Sequence, residues 1–128
     1  MLENKSGRIL NVASILGFLP VPLWSVYAAT KAYTLHFSEA LANELQGTEV
    51  IVTCLCPPPT KTSFWGNMGK SKSAKGKMMD AATVAEAGYV ALKKGEVMAT
   101  PGLTGKSLLI LARITPRNLL TKMMRSMV

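Results

Sequence analysis

An α/β fold built on a parallel sheet is predicted by three features of this 128-residue sequence. Two short apolar runs, Arg8-Ile9-Leu10-Asn11-Val12-Ala13 and Val50-Ile51-Val52-Thr53-Cys54-Leu55-Cys56, have the length and composition of buried strands. The stretch between them is long enough to hold a helix that carries the chain back to the same end of the sheet, as parallel neighbours require. The alternation then repeats, with a helical segment ahead of a third short run, Val97-Met98-Ala99-Thr100. Such an order implies right-handed crossovers and chemistry at the carboxyl ends of the strands.

Taken in order, residues 8 to 13 form the first strand and 14 to 24 a loop containing Gly17, Pro20 and Pro22. Residues 25 to 46 read as a helix ended by Gly47, since glycine adopts the left-handed conformation that closes helices. The second strand covers 49 to 56. From Pro57 to about Asp80 the chain is rich in Pro, Gly, Ser and Lys, and a loop of that length in a compact domain is functional or mobile. A helix over residues 82 to 94 ends near Gly95, and the third strand stops at Pro101-Gly102. Two short helices complete the chain, the second with Thr115 as cap and Pro116 in its first turn. Leu119, Leu120, Met123, Met124 and Met127 share one face of it, opposite Lys122 and Arg125, as a stripe for core packing.

A hydrophobic content of 48% argues against disorder, and the length suits one domain with a modest core. The net charge of +8 is uneven. Lys61, Lys70, Lys72, Lys75 and Lys77 cluster without an acid, and Lys106, Arg113, Arg117, Lys122 and Arg125 follow Glu96 with none. These read as a solvated loop and helix face. No aromatic residues stand among the tail's cations to stack on bases, so nucleic acid is not an expected partner. Ile9 through Thr30 carries no charge, but Asn11, Gly17, Pro20 and Pro22 interrupt it, and we expect no membrane span. Cys54 and Cys56, one residue apart in a strand, point to one face as buried thiols, for which a reducing cytoplasm is the natural setting. His36 has no ligand-spaced partner, and no metal site is expected.

The chemistry resides in Ser14, Tyr27 and Lys31. Residues four apart share a helix face, so Tyr27 and Lys31 project into the same space. A neighbouring ammonium favours phenolate and brings a tyrosine, which ordinarily titrates near ~10, towards general acid–base range. Ser14, at the end of the first strand, can hydrogen-bond a substrate oxygen that gains charge. A second pair, Tyr89 and Lys93, has the same spacing, but Gly76 stands where its serine would be.

Asn11-Val12-Ala13-Ser14, then twelve residues, then Tyr27-Ala28-Ala29-Thr30-Lys31, resembles the short-chain dehydrogenase/reductase family. The resemblance continues through the helix to Leu45 and the strand after it, and is strongest over residues 7 to 64. It implies that the α/β fold is the C-terminal portion of a doubly wound, Rossmann-like sheet of about three strands with flanking helices. Residues 1–128 would then be a single partial domain, with 57–80 as the substrate-side loop. It further implies an oxidoreductase using NAD or NADP on a small apolar carbonyl or alcohol, and a homo-oligomer in the full-length parent. Tyr27 would exchange a proton with the substrate oxygen, Ser14 would hold that oxygen, and Lys31 would assist the tyrosine and bind the nicotinamide ribose. Asn11 would support the strand end. Pro57 and Thr62 match the turn beside the nicotinamide, although Pro58 replaces the family's glycine. Trp24, Phe64, Trp65 and Met68 would border the substrate.

Neither Gly-x-Gly-x-x-Gly nor Thr-Gly-x-x-x-Gly-x-Gly occurs here, and the Asn-Asn-Ala-Gly segment is also absent. The sequence therefore reads as the second half of a family member, with Met1 an internal methionine or an artefactual start. A catalytically silent interaction fragment is the competing expectation.

Overall fold

The computed structural model describes residues 1–67 and 77–127. Met68, Lys70, Lys72, Lys75 and Gly76 lie outside the described residues. The elements are β1 (Gly7–Val12), α1 (Ser25–Glu44), β2 (Val50–Leu55), α2 (Phe64–Asn67), α3 (Ala81–Lys94), β3 (Met98–Ala99), α4 (Gly102–Ile114) and α5 (Arg117–Met127). The three strands pair in parallel in the order β1-β2-β3, with Gly7 opposite Val50 and Cys54 opposite Met98. This is the α/β architecture expected, with helices on both sheet faces.

Strand pleating assigns those faces. Cys54 and Cys56 point towards α1, where they pack with Ala13 and Leu35. Leu55, between them in sequence, points the other way and packs with Val84 and Ala91 of α3 and with Ala99. β2 is accordingly buried at every position but Ile51, whereas β1, which pairs on one side only, has Val12 exposed and no fully buried residue. A third cluster, Leu19, Val21, Ala28, Leu120 and Met124, seats α5 against the start of α1.

Several boundaries differ from the sequence expectation for identifiable reasons. The loop after β1 contains a 3-10 turn at Ile15–Phe18, capped by the Ser14 hydroxyl, which accepts from the Leu16 N–H at 3.2 Å. The loop expected from Pro57 to Asp80 contains α2 and is tied across itself by a bridge between Thr60 and Met79. Thr115 closes α4, and Pro116 accepts the first α5 bond, from Leu120 at 3.0 Å, so the predicted Thr115 cap is corrected. The α5 stripe also divides: Leu120 and Met124 are buried, while Leu119, Met123 and Met127 are exposed.

Helix α3 has the clearest local signals. Asp80 accepts from Ala82 and Thr83 at its start, and Gly95 closes it with φ +74°. The Arg8 guanidinium donates to the Leu92 carbonyl at 2.7 Å, tying β1 to this end. Asp80→Ala is expected to lower stability by about 1 kcal/mol, read as a shifted urea midpoint.

The two cysteine sulfurs are free and 3.9 Å apart. Their shared hydrogen bond draws the Cys54 thiol down to about 7 against the opposing effect of burial, while the same bond and burial push Cys56 up.

Candidate active site

The carboxyl ends of β1 and β2 open into a cavity of about 380 Å³. Ser14, Tyr27 and Lys31 all line it, together with Trp24, Pro57, Thr62, Phe64 and Trp65, so eight of the site residues expected from the sequence reach one space. The turn after β1 brings this about by folding the chain directly onto α1. Gly17 makes that approach possible: a Cβ there would lie 2.9 Å from the backbone carbonyl carbon and oxygen of Lys31. Any larger residue has to push the turn off the helix.

Lys31 reaches back to the strand, its Nζ donating to the Val12 carbonyl at 3.0 Å, and lies 5.8 Å from the centre of the Tyr27 ring. An ammonium has three hydrogens, so two remain for other acceptors. The Ser14 oxygen accepts from Leu16, which leaves its own hydrogen to donate. Asn11 does not line the cavity. Its amide donates to Ser38 at 3.0 Å, and Ser38 donates to the Thr34 carbonyl at 2.6 Å, fastening β1 to α1.

One wall is aromatic. Tyr27 meets Trp24 edge-on at 6.0 Å and Phe64 at 5.5 Å, and Trp24 lies 6.2 Å from Trp65. The Trp65 indole donates to the Thr60 carbonyl at 2.7 Å, while across the loop base the Lys61 N–H donates to the Met79 carbonyl and the Met79 N–H to the Pro59 carbonyl. These bonds hold α2 over the cavity. Thr60, Leu16, Val84 and Ala85 also line it and were not anticipated. Nothing local marks Val84 and Ala85, because α3 enters the cavity only through the sheet crossover. The second pair, Tyr89 and Lys93, also lies together at 5.7 Å, but on α3 and outside the cavity lining.

A family model described as short chain dehydrogenase matches residues 1–73, more than half the chain. The chain belongs to the short-chain dehydrogenase family. A short-chain type dehydrogenase/reductase of Picea abies is 38% identical over 74 residues, covering 58% of this chain and 27% of that protein. The very-long-chain 3-oxoacyl-CoA reductase of Bos taurus is 44% identical over 57 residues, covering 44% and 18%. A solved short-chain dehydrogenase from Sphingobium yanoikuyae, in complex with NADPH, is 30% identical with a TM-score of 0.73, covering 88% of this chain and 45% of that one. The chain thus spans about a quarter or less of these two curated relatives and under half of the solved structure. The family match takes in Ser14, Tyr27, Lys31 and the whole Pro57–Trp65 side of the cavity.

Proposed function

We propose that this chain provides the proton-transfer and substrate-binding half of an NAD(P)-dependent oxidoreductase that interconverts a carbonyl and an alcohol. The observation that carries this is the convergence of Ser14, Tyr27 and Lys31 on one cavity with an aromatic wall. The residues fit the nicotinamide end of a dinucleotide: Lys31 has hydrogens left to donate to a ribose, and Pro57 and Thr62 line the same cavity. The pyrophosphate end has no matching turn in this sequence, which lacks the glycines that let backbone amides approach phosphate.

A bound nicotinamide supplies or accepts the hydride at the substrate carbon. In the reducing direction Ser14 donates a hydrogen bond to the carbonyl oxygen and holds it beside Tyr27, where negative charge develops. Tyr27 gives that oxygen its phenolic proton, and in oxidation the phenolate takes the proton back. Lys31 stabilises the phenolate electrostatically while its bond to Val12 keeps the ammonium at the strand end. Trp24, Phe64 and Trp65 exclude water and favour an apolar substrate; among the described residues the cavity lining includes no acid and no cation other than Lys31.

The 128-residue chain alone is expected to show no turnover with NADH or NADPH. Cofactor-saturable reduction of an apolar ketone by the purified chain overturns that expectation. Fusing the dinucleotide-binding half of the Sphingobium yanoikuyae enzyme upstream is expected to produce NADPH-dependent turnover. A folded fusion that binds NADPH without reducing any apolar ketone would favour the silent interaction fragment instead.

A further inference from the structure

We propose that α4 and α5 form a peripheral docking surface for anionic lipid, with both helices lying along the bilayer interface. The proposal rests on helix faces outside the cavity and is independent of the reaction assigned to it.

Helix α4 is apolar on two opposite sides. Leu108 and Ala112 turn inward and pack against the Leu19–Met124 core. Leu103, Ile110 and Ile114 fall on the opposite side at helical spacing and are 85%, 62% and 74% exposed. A globular surface helix needs one apolar face, and this second face has no role in the core. Lys106 and Arg113, both exposed, lie beside it. Helix α5 adds to it from the edge of a single apolar face: Leu120 and Met124 are buried, while Leu119, Met123 and Met127 form an exposed stripe alongside them, with Lys122 flanking Leu119.

Charge selects the occupant. Five cations and no acids follow Glu96 in the sequence, so a partner must bring negative charge together with an apolar layer. An anionic bilayer offers both within a few ångströms, and amphipathic helices with basic polar flanks bind there. Two copies of this chain meeting on the face would set Lys106, Arg113 and Lys122 against the same three cations, which disfavours self-association. No aromatic residue stands in either helix to stack on bases, which disfavours single-stranded nucleic acid. Among the described residues no helix is long and apolar enough to cross a membrane, so the contact lies along the surface.

Flotation of the 128-residue chain with phosphatidylcholine vesicles, with and without phosphatidylglycerol, tests the proposal. Binding to the anionic vesicles is expected to exceed binding to neutral ones by roughly tenfold or more, an effect that two basic residues at such a surface can produce. It is expected to fall as salt rises. Ile110→Gln/Ile114→Gln and Lys106→Gln/Arg113→Gln should each weaken it severalfold with unchanged circular dichroism, since all four side chains are exposed or lie beside an exposed face. Equal binding to both vesicle types, or none to the anionic ones, overturns the proposal. So does binding of an RNA oligonucleotide without vesicle binding, or self-association that Ile110→Gln abolishes.

Discussion

Tyr27→Phe, placed in the fusion that supplies a dinucleotide-binding half, is expected to lower kcat by about a hundredfold to ten-thousandfold, the range of a positioned acid–base group. NADPH binding should change little, because the phenylalanine keeps the ring that meets Trp24 and Phe64 while removing only the hydroxyl. Ser14→Ala should also reduce turnover, but its reading is less clean, since Ser14 caps the turn that brings Gly17 onto α1. A Tyr27→Phe fusion that keeps most of its turnover with NADPH bound would remove Tyr27 from the proton-transfer role.

Leu35→Ala is expected to destabilise the chain by about 2–5 kcal/mol, read from urea unfolding. Leu35 is 1% exposed and packs with Ala13, Cys54 and Cys56, so it is the main apolar tie between α1 and the sheet. A loss of that size rivals the total stability of a small domain. It would also release the helix that carries both Tyr27 and Lys31. A shift below about 1 kcal/mol would mean that α1 is held by other contacts, since surface substitutions fall in that range.

The sequence made some parts of this site legible and hid others, and the division follows from the distance over which each signal acts. Tyr27 and Lys31 could be paired because helical spacing alone places them on one face, and the Gly95 closure of α3 is similarly local. Ser14 was readable from the strand that precedes it. Gly17 was legible only as an interruption of an apolar run, because its use depends on the Lys31 backbone lying opposite. The short helix at Phe64–Asn67 and the bridge from Thr60 to Met79 carry no local signal, because Pro57-Pro58-Pro59 and the lysine-rich composition dominate that segment. Helical spacing puts the α5 stripe on one face, whereas the core takes in only Leu120 and Met124 of it. Spacing identifies which residues can be buried together, and packing decides how many of them are.

We propose that Tyr27 and the aromatic wall enclose a ligand oxygen in one shared space. Carbon-13 labelling of the tyrosine Cζ positions, followed by NMR during titration of the 128-residue chain with 2-acetylnaphthalene, tests it directly. Tyr33 and Tyr89, which are 71% and 59% exposed, serve as internal controls. The Tyr27 signal and the Trp24 and Trp65 indole signals should move together and saturate at one ketone concentration, with both control tyrosines unmoved. Indole shifts without a Tyr27 shift, or no shift at any of the three, would contradict a shared site.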